Sequence, residues 1–148
     1  MKLKMLKFGI NLYPPFLGAG IRVKHIAPDY REVIVSMKLR WYNRNYVGTH
    51  FGGSLAAMTD PFYMLMLIHI LGKEYTVWDK TSTIDYIAPG RGTVTAHFTL
   101  EDDQIAEIKN KTASGDPYYP EFSVDIVNES GEIVSAVKKR LYVRKKQS

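Results

Sequence analysis

The sequence predicts an α+β fold in which an antiparallel sheet wraps around one long central helix. Three observations predict it. Six extended segments recur along the chain, most alternating apolar and polar residues with the period of two that marks a half-buried strand. Residues 52–71 are apolar on almost every face, a pattern confined to buried or membrane-spanning helices. No linker, repeat or low-complexity tract divides the 148 residues, a common length for one domain. Residues 1–148 are therefore read as a single domain.

The elements follow in order. Residues 3–12 read as a short helix stopped by Pro14-Pro15. After Gly18-Ala19-Gly20, residues 21–26 alternate as a first strand. A turn at Pro28-Asp29 leads into a second, residues 32–39, with Val33, Val35, Met37 and Leu39 on one face. The central helix ends at Gly72. It is about long enough to cross a bilayer, but Asp60, Pro61 and His69 inside it assign it to a protein core, and no membrane insertion is expected. Residues 76–87 form a long third strand ended by Pro89-Gly90, and residues 92–100 a fourth. Residues 101–112 read as a helix with acids first and lysines later, as the helix dipole prefers. Residues 121–127, a turn at Glu129-Ser130-Gly131 and residues 133–144 close the chain as a hairpin. Such a sheet leaves one face and a half-open helix groove to cover. Pairing of protomers would cover both, so a homodimer or homotetramer is expected.

Composition narrows the function. The chain has no cysteine, which excludes a disulfide scaffold, a thiol nucleophile and a thiolate metal site, and agrees with a reducing compartment. The start interleaves Lys2, Lys4 and Lys7 with apolar residues and lacks the uninterrupted apolar run of a signal peptide. A cytoplasmic location is the expectation. The formal net charge of +5 suggests an anionic partner. Basic residues crowd the end, from Lys138 to Lys146. A solvated terminal strand that resists edge pairing accounts for that run; docking of ligand phosphates, as in coenzyme A, is the alternative. Nucleic acid is not expected, because no recognition helix, zinc finger or aromatic RNA-binding motif is present.

The chemistry points to residues 45–60. Here a polar loop precedes the pair Gly52-Gly53 at a helix start, and a lone carboxylate, Asp60, follows on the apolar helix. The first turn of a helix has unpaired N–H groups at the positive end of the dipole. Glycine there lets a ligand oxygen approach the backbone closely. Those are the components of an oxyanion hole, which stabilises charge developing on a carbonyl oxygen. Asp60 is either the start of a helix segment before Pro61 or a catalytic base or nucleophile whose pKa burial would raise. His25, His69 and His97 form no pair with metal-ligand spacing, so neither metal nor organic cofactor is expected. Phe62, Tyr63, Met64 and Met66 permit an apolar tunnel, but such a stripe is ordinarily core.

This stretch resembles the signature loop and helix of hotdog-fold thioesterases related to the phenylacetyl-CoA (PaaI-like) type, in a poorly characterised bacterial branch. The resemblance spans nearly the whole chain and includes Asp85-Tyr86-Ile87-Ala88-Pro89-Gly90, similar to that family's strand ending in a Tyr-x-x-Pro turn. It implies the hotdog fold and hydrolysis of an acyl-CoA or other acyl thioester. On the match, Asn45 takes the family's asparagine position, Gly52 its oxyanion-hole glycine and Asp60 its catalytic acid. Two positions depart from the pattern. Phe51 stands where the family usually has histidine, and His50 lies one residue earlier. His50 is read either as orienting the loop or a water, or as making a structural hydrogen bond. On the strand where relatives place serine or threonine opposite the partner protomer's acid, this chain offers Asp79. Asp79 is read either as a second carboxylate that divides acid and base roles with Asp60, or as half of an ion pair with a lysine or arginine at the interface. Two rival functions stand beside hydrolysis: a non-catalytic binder of acyl-CoA or fatty acid, favoured by Phe51, and an enoyl-thioester hydratase, whose usual motif is missing here. The fold alone decides none of these.

Overall fold

A computed structural model describes residues 2–147. Its elements are α1 (Leu3–Leu12), α2 (Pro14–Ala19), β1 (Ile21–Ile26), β2 (Glu32–Lys38), α3 (Gly52–Ala57), α4 (Phe62–Leu71), β3 (Tyr75–Tyr86), β4 (Thr93–Thr99), α5 (Asp102–Thr112), β5 (Glu121–Val127) and β6 (Ile133–Lys145). The six strands form one antiparallel sheet in the order β1-β2-β4-β5-β6-β3. Every predicted strand is present, because alternation places one apolar row on the helix side of each. Val35 and Met37 of β2, Val94, Ala96 and Phe98 of β4, Val124 and Ile126 of β5, and Leu141 and Val143 of β6 form that row.

The central helix fills the concave side. Phe62, Met66 and Leu67 are fully buried, each contributing roughly 1.5–3 kcal/mol relative to exposure. Phe62 packs on Phe98 with ring centroids 5.2 Å apart, and Tyr63 stacks on Phe122 at 4.7 Å. The Tyr63 hydroxyl donates to Ser123 O at 3.0 Å, and burial pushes its pKa up to about 12. Residues 52–71 are long and apolar enough to cross a membrane by length and composition, yet they pack on the sheet.

That helix is interrupted midway. Thr59 N–H and Asp60 N–H reach back only three residues, to Ala56 O and Ala57 O, a tightening typical of a helix end. Pro61 then supplies no N–H, and the chain restarts at Phe62. Asp60 thus lies at the break and is exposed, rather than sitting in the interior of an apolar helix. Proline also acts differently near the start. Pro14-Pro15 do follow the end of α1 at Leu12, but Pro14 opens α2, where a missing N–H costs nothing. Asn11 holds α1 to β1: its Nδ2 donates to Val23 O at 3.2 Å, and Val23 N–H donates to its Oδ1 at 2.7 Å. The α5 helix carries the predicted charge order and a capping box between Glu101 and Gln104.

Two features of the β3–β6 pair shape the site. The ladder shifts register between Asp79 and Thr81, leaving Lys80 as an extra residue, a β-bulge. On β6, Lys139 shares the inward row with Val137, Leu141 and Val143 and is buried. The C-terminal basic run is therefore not simply a solvated strand: Lys138 and Arg140 face out, and Lys139 faces the core.

Candidate active site

Residues 44–51 turn the chain from β2 into the central helix. Asn45 organises that turn. Its Nδ2 donates to Thr49 Oγ1 (3.0 Å) and His50 O (3.3 Å), and its Oδ1 accepts from the Val47 and Thr49 N–H groups. All four hydrogen-bonding positions of the amide are thereby occupied within the loop. His50 is tied to the far side of the cleft. Its N–H donates to Gly90 O at 2.9 Å, and its Nε2 lies 2.8 Å from Gly92 O. A carbonyl only accepts, so Nε2 carries the proton. Nδ1 is then a lone pair, buried and without a protein partner. Burial pulls the His50 pKa below its ordinary value, with the Gly92 carbonyl opposing, so the ring is neutral at neutral pH.

The helix begins at Gly52, after Phe51. Among the described residues, neither Gly52 N–H nor Gly53 N–H has an acceptor, as expected of a first turn. Tyr86, at the end of β3, donates its hydroxyl to Gly52 O at 3.2 Å. A Cβ on residue 52 would meet that ring at 3.2 Å, so glycine permits the close approach. Between the Asn45 loop, the helix start and the Tyr86–Arg91 turn lies a cleft of about 490 Å³. Asn45, His50, Gly52 and Tyr86 line it, and Arg91 adds a cation.

A second cluster lies further along the helix. Asp79, on the inner face of β3, places Oδ1 3.1 Å from Lys139 Nζ. The contact is an ion pair. Burial raises the Asp79 pKa, Lys139 opposes that rise, and the nearby charge of Asp60 adds to it. Asp60 and Asp79 therefore come within electrostatic reach of each other in one chain. They do not line the cleft with Asn45, His50 and Gly52: Asp60 follows Gly52 by eight positions and lies past the end of α3 at Ala57. The five residues named from sequence thus fall into two groups.

Lys139 was not singled out from sequence. The spacing Val137-x-Lys139-x-Leu141-x-Val143 holds the signal, but Lys138 and Arg140 on either side make the segment read as uniformly polar. Among the described residues, no group of three or more His, Asp or Glu side chains is arranged to hold a metal.

This architecture, a six-stranded antiparallel sheet around a central helix, is the hotdog fold. The chain is similar to the probable thioesterase PA5026 of Pseudomonas aeruginosa, with a TM-score of 0.86 and 15% identity over 99% of this chain and 97% of that one. It is also similar to the thioesterase HI1161 of Haemophilus influenzae (TM-score 0.72, 17% identity, 98% and 92% covered). A variant of the phenylacetic acid degradation protein PaaI of Thermus thermophilus matches with TM-score 0.60 and 23% identity, covering 87% and 97%. No curated protein matches the chain. Residues 3–143 match the family described as a domain of unknown function, DUF4442; the chain belongs to that family.

Proposed function

We propose that this protein hydrolyses an acyl thioester, with acyl-CoA as the substrate class. The observation that carries the reading is the cleft at the helix start, lined by Gly52 with its acceptor-free N–H, by the neutral His50 and by the cation of Arg91. The thioester carbonyl oxygen accepts from Gly52 N–H, which stabilises the oxyanion as it forms. Asp60 takes a proton from water, the water oxygen bonds to the carbonyl carbon, and the C–S bond breaks. The electron pair leaves on the coenzyme thiolate, which takes up the proton held by Asp60. Asp60 acting directly as nucleophile is the variant of the same step. His50 orients the loop through its bonds to the Gly90 and Gly92 carbonyls, and Asn45 acts by shaping that loop.

The separation of Gly52 from Asp60 within one chain supports a site assembled between protomers. β3 is an edge strand of twelve residues, and a long unpaired edge invites pairing with a second copy. In such a homodimer, or a homotetramer built from it, Asp60 and Asp79 of one protomer would serve the cleft of the other. The same reading takes residues 1–148 as a single domain working in the cytoplasm, with no cofactor, metal or nucleic acid required.

One observation favours a second reading. Phe51 stands beside the cleft as the helix N-cap, where a polar side chain would ordinarily cap the first turn. A binder of acyl-CoA or fatty acid would tolerate that and show affinity without turnover. Hydrolysis followed with a thiol-detecting dye, across acyl chains from acetyl to palmitoyl, separates the two. Turnover that collapses in Asp60→Asn supports the hydrolase. A folded protein that binds acyl-CoA but releases no thiol would leave only the binder.

A further inference from the structure

The α1 helix is apolar on two opposite faces. Leu3, Leu6 and Ile10 pack against the core. Met5, Phe8 and Leu12 point the other way and are 63%, 66% and 51% exposed; at 100° per residue the two sets lie about half a turn apart. Leu17 of α2, 56% exposed, extends the outer patch. Hydrogen bonds from Asn11 to β1 hold α1 in place, so the outward apolar row is presented by a fixed helix.

The charge around this patch has one sign. Residues 1–28 contain Lys2, Lys4, Lys7, Arg22 and Lys24 and no carboxylate, so they hold the whole formal net charge of +5; the rest of the chain balances 15 cations against 15 acids. Lys4, Lys7 and Arg22 rim a groove of about 330 Å³ whose other walls include Phe8, Leu12 and Leu17. An adjoining recess shares Arg22 with it and adds Lys24, Lys38 and Arg40, again with no acid in its lining. An apolar ridge beside a purely cationic recess complements one kind of surface well: acyl chains below a layer of negative phosphates.

We propose that this N-terminal face docks the protein peripherally on an anionic phospholipid bilayer, with Met5, Phe8, Leu12 and Leu17 entering the headgroup boundary and the flanking cations meeting phosphate. The apolar side chains alone supply too little area for stable anchoring, and the cations alone are screened by salt. Their combination on one fixed face is what interfacial helices use. This site lies at the β1 end of the sheet, opposite edge strand β3, and stands independently of the thioester reading.

Vesicle co-sedimentation tests it, comparing phosphatidylcholine alone with phosphatidylcholine mixed with an equal part of phosphatidylglycerol. The wild type is expected to pellet with the anionic vesicles only, and to be released as salt rises from about 0.1 M to about 1 M. The double variant Lys4→Glu/Lys7→Glu and the single variant Phe8→Asp should each lose binding by about tenfold or more, with melting temperature and oligomeric state unchanged. Because the chain has no cysteine, an environment-sensitive dye on Phe8→Cys provides a readout free of charge changes. Its emission should shift to the blue with anionic vesicles, while the same dye on Ser130→Cys, at the β5–β6 turn, should not respond. Wild type left in the supernatant, or binding retained by both charge and Phe8 variants, overturns the proposal. So does a Phe8→Asp variant that changes the oligomeric state, since the face would then be covered by a second copy.

Discussion

Lys139 Nζ and Asp79 Oδ1 lie 3.1 Å apart on the concave face of the sheet, where the lysine side chain is 2% exposed and the carboxylate 24%. A cation this deep needs its partner. Replacing Lys139 by Met should cost about 2 kcal/mol in urea unfolding, less than the ~3–5 kcal/mol of a fully buried pair because solvent still reaches Asp79. The double variant Lys139→Met/Asp79→Leu should recover most of that loss. Equal instability of the single and double variants would mean that packing of the lysine stem, not the charge, matters here.

His50 sets a pH dependence whose sign follows from its depressed pKa. Above the ordinary value of 6.5 the ring is neutral in folded and unfolded chains alike. Below it, the unfolded chain takes up a proton that the buried ring refuses, so stability is lost as pH falls, by up to ~1.4 kcal/mol per pH unit. His50→Gln keeps an N–H for Gly92 O and should flatten that slope. Urea unfolding of both proteins at neutral pH and one unit below 6.5 checks it; parallel curves would contradict the burial of a neutral ring.

Asn45 distinguishes a loop-building role from direct contact with substrate. Its side chain serves four hydrogen bonds within residues 45–50. Asn45→Ala should therefore lower stability by roughly 1–3 kcal/mol and weaken turnover through the distorted loop. A variant with unchanged melting temperature and a purely kinetic defect would place the amide at the substrate instead.

Gly52→Ala introduces a methyl 3.2 Å from the Tyr86 ring. That ring is largely exposed and can swing away, so the melting temperature should barely change. The cleft would narrow beside the proposed oxyanion site, and kcat for thioester hydrolysis should fall about tenfold or more. Tyr86→Phe removes only the hydroxyl and should have a smaller effect. Unaltered kcat in Gly52→Ala would move the carbonyl site elsewhere.

The strands were legible because burial on one side of a sheet imprints a period of two, visible in Val33-x-Val35-x-Met37 and in Val94-x-Ala96-x-Phe98. The helix was legible because its run is apolar almost throughout, although only one side, with Phe62, Tyr63, Met66 and Leu67, is buried and Ile68 stays 39% exposed. The helix break is announced by Pro61, but its effect on Asp60 is not: exposure depends on what packs over residue 60, and nothing local encodes that. The Asp79–Lys139 pair joins residues sixty positions apart, and charged neighbours hide the inward phase of Lys139. Asn45 lines the cleft, but the saturation of its amide by loop hydrogen bonds depends on how residues 45–50 curl.

The extra residue at Lys80 has a consequence for the parity of β3. Asp79 and Tyr86 are seven positions apart, an odd number, so an unbroken strand would aim them at opposite sides of the sheet. Yet Asp79 meets buried Lys139, and Tyr86 reaches Gly52 on the same concave side. The bulge absorbs one residue and restores the match. Deleting Lys80 would therefore straighten the ladder and leave Asp79 and Tyr86 an even number of positions apart, still on one side, whereas one residue inserted between Thr81 and Asp85 would turn Tyr86 outward. In this strand the count of residues is itself part of the specification: one residue more beyond the bulge is a sign change, while a substitution at Lys80 is only a new side chain facing water.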